Sequence, residues 1–70
     1  MMINGKKVDI TEIKLTDYLA QNNYNPRHIV IELNGNILSN SEYDDILLKE
    51  NDIVEILMFM GGGWKTENLL

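Results

Sequence analysis

The chain has 70 residues, 44% hydrophobic and 24% charged, a balance that supports one globular domain and excludes wholesale disorder. Eleven acidic residues against six basic ones give a net charge of −5, which repels phosphate backbones and excludes nucleic acid as a partner. With no cysteine, neither a disulfide nor a thiolate metal site props up a core this small, which buries roughly 60% of the unfolded surface.

The first element expected is a hairpin. Met1-Met2-Ile3 is a short apolar run, Asn4-Gly5 is a tight-turn dipeptide, and residues 6–10 carry Val8 and Ile10 at period two. A short helix over residues 16–23 follows, with Thr16 as its N-cap and Asp17 in the first turn. Leu15, Tyr18 and Leu19 have the spacing of one apolar face. Asn22-Asn23 and Asn25-Pro26 end it, because proline drives the preceding residue out of helical angles.

Residues 29–33 form a β-branched run, with Ile29, Ile31 and Leu33 facing the core and Val30 and Glu32 on the other side. Asn34-Gly35 is a second tight turn and Ile37-Leu38 a brief return strand. Residues 39–45 read as a solvated acidic turn, with Ser41 capping a single helical turn. Ile46-Leu47-Leu48 is another apolar run, and residues 49–52 turn again, with Asn51 suited to left-handed angles. The last strand covers residues 53–60. Val54, Ile56 and Met58 are expected inward, leaving Leu57 and Phe59 on the opposite face as a docking patch. The order defines an α+β roll with a closing strand beside the first and some parallel pairing, reached by the crossover through the helix.

That strand runs into Gly61-Gly62-Gly63, three of only five glycines in the protein. Consecutive glycines have no side chains to pack and the most backbone entropy to lose. They suit a thin backbone that must enter a narrow slot in another protein. The division expected is a folded domain over residues 1–60 and a flexible tail over residues 61–70.

Catalytic chemistry is missing from the pattern. His28 is the single histidine and follows Pro26-Arg27 in a turn, so it reads as a surface residue. No nucleophile has a base paired with it, and the glycine run lacks the lysine and hydroxyl of a phosphate loop. Glu42, Asp44 and Asp45 read as a solvated turn rather than paired carboxylates. The domain is therefore expected not to be an enzyme. No apolar run approaches the ~20 residues that span a bilayer, and the first residues lack the pattern of a secretory signal, so the expected location is the cytoplasm with no membrane partner. The negative charge serves either solubility or docking onto a basic partner.

Ile31-Glu32-Leu33-Asn34-Gly35, Ser41-Glu42-Tyr43, and the run from Asp52-Ile53-Val54-Glu55-Ile56 through Phe59-Met60-Gly61-Gly62-Gly63 resemble the ThiS family of sulfur carriers in thiamine biosynthesis. Ile3-Asn4-Gly5 fits as well, and the similarity spans about residues 1–63. Asn51 stands where many members have glycine. The resemblance implies a ubiquitin-like β-grasp fold, a mixed sheet of four to five strands packed on one main helix. It also implies partners. A ThiF-like adenylyltransferase uses ATP and Mg²⁺ to adenylate the terminal glycine carboxylate, and a sulfur donor protein converts the adenylate to a thiocarboxylate. A ThiG-like thiazole synthase then takes the sulfur. The chain itself binds no cofactor in this scheme. Gly63 carries the sulfur, Gly61 and Gly62 thread the tail, and Leu57 and Phe59 dock the domain.

One departure bears on that chemistry. Residues 64–70 follow Gly63, and while Trp64 is attached Gly63 has an amide rather than a free carboxylate. The expectation is proteolytic removal of residues 64–70 before activation; the competing readings are a sequence artefact and a relative that has lost carrier activity. Alternatives for the whole chain are a sulfur carrier for molybdopterin or tRNA thiolation, or a β-grasp interaction module with no covalent chemistry.

Overall fold

In the computed structural model, residues 1–59 are described. Two asparagine-glycine turns build the ends of the sheet. Asn4 and Gly5 have φ of 53° and 79°, and Asn34 and Gly35 have 52° and 89°, so both central residues of each turn are left-handed. Such turns match the right-handed twist of the strands they join, and asparagine followed by glycine tolerates these angles best. The first turn joins β1 (Met2–Ile3) to β2 (Lys6–Lys7); the second joins β4 (Ile29–Leu33) to β5 (Asn36–Ile37). β2 stops at Lys7, short of the expected Ile10.

Between the hairpins lie β3 (Glu12–Lys14) and the helix α1 (Leu15–Gln21). β3 leads directly into α1 and Lys14 is the N-cap, with extended angles and no side-chain cap. Thr16 is therefore already inside the helix rather than at its cap, because the strand leaves no residue free to cap it. Asp17 does occupy the first turn. The helix ends before Asn23, at φ 61°, and Pro26–His28 form a 3₁₀ turn in which Asn25 Oδ1 accepts the Arg27 N–H at 2.9 Å.

The chain then runs through β4 and β5 into a 3₁₀ segment, Asn40–Asp45. Its cap is Ser39, not Ser41. The Glu42 carboxylate reaches back to accept the Ser39 N–H at 2.8 Å and the Ser39 hydroxyl at 2.9 Å. β6 (Leu47–Lys49) pairs antiparallel with β3, and β7 (Ile53–Met58) closes the main sheet. The turn before β7 keeps Asn51 out of the left-handed region. Asp52 holds it instead, accepting the Lys49 N–H at 2.8 Å through its side chain and donating its own N–H to the Lys49 carbonyl at 3.0 Å.

The main sheet has the order β2-β1-β7-β4-β5. Its parallel pair is β1 with β7, Met2 opposite Ile53; β4 pairs antiparallel with β7. The parallel contact thus joins the first and last strands, and the crossover through α1 leads to a strand that never meets β2. Asn4 reinforces this junction: its N–H donates to the Val54 carbonyl and its Oδ1 accepts the Ile56 N–H.

The inner face of the sheet supplies Ile3, Ile29, Ile31, Val54 and Ile56, and α1 lays Leu15 and Leu19 into the same core. Leu48 from β6 and Tyr43 from the 3₁₀ segment complete it. Burial raises the Tyr43 phenol above its ordinary value, opposed by a hydrogen bond with the Ile31 backbone. Tyr18 is half-buried at the edge, its phenol likewise raised by burial and then by Tyr24. No polar or charged residue is buried among the described residues. This is a ubiquitin-like β-grasp: a mixed five-stranded sheet wrapped on one main helix.

Candidate docking face and tail root

The residues on the other side of the same strands make the candidate site. Ladder register sorts them into rows. Ile53 stands opposite Met2, which stands opposite Lys7. Glu55 stands opposite Glu32, and Glu32 opposite Ile37. Leu57 stands opposite Val30. Beyond the last ladder pair, the Phe59 N–H donates to the His28 carbonyl at 2.9 Å. The two rings meet edge to face, centroids 6.3 Å apart. The rows form one strip from the first hairpin to Phe59.

Apolar surface on this strip is open. Ile37 is 70% exposed, Ile53 56% and Leu57 54%. The expected pair of Leu57 and Phe59 divides in the structure. Leu57 is bare, whereas Phe59 is half-buried against His28, which itself stays at the surface. Met58, expected inward, is 59% exposed. Its partner across the ladder is Ile29, the first residue of β4, so β7 outruns the body that would cover it. Gly61, Gly62 and Gly63, together with Met60 and residues 64–70, lie outside the described residues.

The motifs read from the sequence have structural explanations here. Asn34 ties its turn to the start of β7: its Nδ2 donates to Asp52 Oδ1 at 3.0 Å and its Oδ1 accepts the Ile53 N–H at 2.8 Å. Glu42 completes the capping box of the 3₁₀ segment from its third position, and the two bonds from Ser39, backbone first, hold its carboxyl below the ordinary value. Tyr43 is a core anchor. Asp44 and Asp45 are exposed. Among the described residues no cluster of three or more metal-binding side chains occurs, and no helix is long and apolar enough to cross a membrane. What sequence reasoning missed is the breadth of the strip. Val30, Glu32 and Glu55 fell on the outward side by alternation, but which faced which depends on pairings between residues far apart in the chain.

A β-grasp domain with an exposed sheet face, on a chain whose last described strand is followed in sequence by Gly61-Gly62-Gly63, is the pattern of a ubiquitin-like carrier. Residues 1–63 match the model of the ThiS family, and the chain belongs to that family. The sulfur carrier protein ThiS of Bacillus subtilis is 31% identical over 65 residues, covering 90% of this chain and 98% of the relative. An uncharacterized protein, ycf40, of Trieres chinensis is 34% identical over 62 residues, covering 87% of this chain and 85% of the relative. The crystal structure of the thiamine biosynthesis protein ThiS from Geobacter metallireducens superposes with a TM-score of 0.70 at 35% identity, over 89% of this chain and 96% of that one.

Proposed function

We propose that this protein is a sulfur carrier for the thiazole ring of thiamine, and that the Gly63 carboxylate is its cargo site. It acts as a co-substrate and not as a catalyst. The observation that carries the reading is the extent of the family match, which runs through Gly61, Gly62 and Gly63 and stops there. The relative from Bacillus subtilis, a sulfur carrier by name, supports it.

The chemistry follows from the weakness of a carboxylate as an electrophile. A carboxylate oxygen of Gly63 attacks the α-phosphorus of ATP on a ThiF-like adenylyltransferase, and Mg-bound pyrophosphate leaves. The acyl adenylate now has AMP as a good leaving group. Sulfide, HS⁻, supplied by a donor protein attacks the carbonyl carbon, the C–O bond to AMP breaks and AMP departs, the sulfur proton is lost to solvent, and the terminus becomes a thiocarboxylate. A ThiG-like thiazole synthase then receives the sulfur. The carrier needs no cysteine, because the sulfur is attached to a carbonyl carbon of the main chain. Gly61 and Gly62 let that main chain enter the enzyme without side-chain clashes. Leu57, with Phe59 at the tail root, docks the domain while the tail is inside. The location that goes with this reading is the cytoplasm.

Trp64 must leave first, since the Gly63 carbonyl is otherwise held in a peptide bond. Removal of residues 64–70 by a protease is therefore a step of the scheme. Pyrophosphate exchange into ATP tests it. A chain ending at Gly63 should support exchange by a ThiF-like enzyme, and the 70-residue chain should not. Absence of exchange with the chain ending at Gly63 would defeat the reading.

A further inference from the structure

We propose that the turn at Asn34-Gly35 is a self-modification site: it converts without an enzyme to aspartate and isoaspartate, ahead of Asn4-Gly5, and the conversion unties the β4–β5 hairpin from the start of β7. The inference is independent of the carrier reading.

The two turns share a sequence, a geometry and a task. Asn4 donates its N–H to the Val54 carbonyl at 2.9 Å and accepts the Ile56 N–H on Oδ1 at 2.6 Å. Asn34 donates its N–H to the Ile53 carbonyl at 2.8 Å and accepts the Ile53 N–H on Oδ1 at 2.8 Å. The two asparagines thus clamp β7 from its two sides. Each is followed by an exposed glycine, with nothing within 4 Å of where a Cβ would stand. Without a Cβ the glycine nitrogen is unshielded and its backbone turns freely, which suits it to attack the side chain before it.

The reaction needs water alone. The Gly35 nitrogen gives up its proton and attacks Asn34 Cγ. The N–Cγ bond forms, the Cγ–Nδ2 bond breaks, and Nδ2 leaves with that proton as ammonia. Water then opens the five-membered imide. Attack at Cγ gives aspartate. Attack at the main-chain carbonyl gives isoaspartate, in which the chain runs on through Cβ and Cγ. Nothing is oxidised or reduced.

The turns differ in how readily they open. While β7 holds Oδ1, Cγ is not free to meet the glycine nitrogen, so the rate follows the population of the opened turn. The side-chain bonds of Asn34 are exposed, and its hairpin ends in β5, a two-residue strand at the sheet edge. The Asn4 bond to Ile56 is partly buried, and β1 lies inside the sheet, between β2 and β7. Freeing Asn4 means parting the first strand from the last.

The product at position 34 is costly. Asn34 Nδ2 donates to Asp52 Oδ1 at 3.0 Å. Aspartate there puts an oxygen where the donor stood, so two carboxylates face each other. Asp52 Oδ2 also accepts the Lys49 N–H, so the turn before β7 loosens with it.

Peptide mapping by mass spectrometry, on the 70-residue chain held in mildly alkaline buffer, gives the readout, with isoaspartate counted by enzymatic methyl transfer. Product should gather at position 34 several-fold faster than at position 4. In urea that preference should vanish. Asn34→Asp imitates one product and should melt below the parent. Asn34→Asp with Asp52→Asn should recover most of the loss, because the second substitution restores a donor between the side chains and keeps an oxygen for the Lys49 N–H. Equal rates in the folded chain, faster conversion at position 4, or a preference that persists in urea would overturn the inference. So would parental melting of Asn34→Asp, or a paired variant that recovers nothing.

Discussion

The two faces of the β4–β7 ladder come from the same strands and the same alternation, yet they treat apolar residues oppositely. On the inner face, Ile29, Ile31, Val54 and Ile56 are buried under α1 and the 3₁₀ segment. On the outer face, Ile53 and Leu57 stand open beside two carboxylates that face each other. The inner face is explained by folding alone, since burial of each large side chain stabilises by roughly 1.5–3 kcal/mol. Folding leaves the outer face without an explanation, because bare apolar surface contributes nothing and paired carboxylates cost stability. An association accounts for both features.

Substitutions can break this contrast or sharpen it. Ile31→Ala should have the largest effect, a loss of about 2–5 kcal/mol in urea unfolding, since Ile31 is fully buried and the gap left cannot close completely. In a domain this small that is a large fraction of the whole stability. Leu57→Thr should do the reverse. Its unfolding midpoint should stay within about 0.5 kcal/mol of the parent, as for other exposed positions, while binding to the adenylyltransferase falls ~10-fold. A large stability loss there would assign Leu57 to the fold rather than to the partner.

Asp52→Ala removes the acceptor for Lys49 N–H and Asn34 Nδ2, so it should cost about 1 kcal/mol without touching either face of the ladder. Denaturant titration of Asp52→Ala beside Asn34→Ala checks whether the two act as one unit: shared bonds make the double loss smaller than the sum. The smallest effect belongs to Glu42. Its folded-state carboxyl is held below the ordinary value by the Ser39 bonds, so its contribution is present above the unfolded value and is lost as pH falls through the folded one. Urea midpoints measured from neutral pH into the acid range should decline less steeply in Glu42→Gln than in the parent.

The strands that carry the site were legible because their signals are local. Alternation placed Ile29, Ile31, Val54 and Ile56 inward, and the two asparagine-glycine pairs fixed both hairpins. β3 was not legible. It has three residues with Ile13 as their one apolar member, and it exists because it pairs with Leu47–Lys49, far along the chain. The same cause displaced the caps: Thr16 lost its role to the strand before it, and Ser41 lost its role to Ser39, from which Glu42 lies at the capping distance. Met58 broke the inward series because the inner face ends at Ile29. On the candidate face, the exposure of Leu57 could be read directly from the sequence. The opposition of Glu32 and Glu55 could not, since alternation names the face of each residue but not its neighbour across the sheet.

The carrier account stands or falls on the state of one terminus. Intact-mass analysis of the protein from cells making its ThiF-like and sulfur-donor partners measures it directly. The account predicts a chain ending at Gly63, together with a second species heavier by the exchange of one oxygen for sulfur. A population that keeps residues 64–70 throughout, or ends at Gly63 and never acquires sulfur, would contradict it.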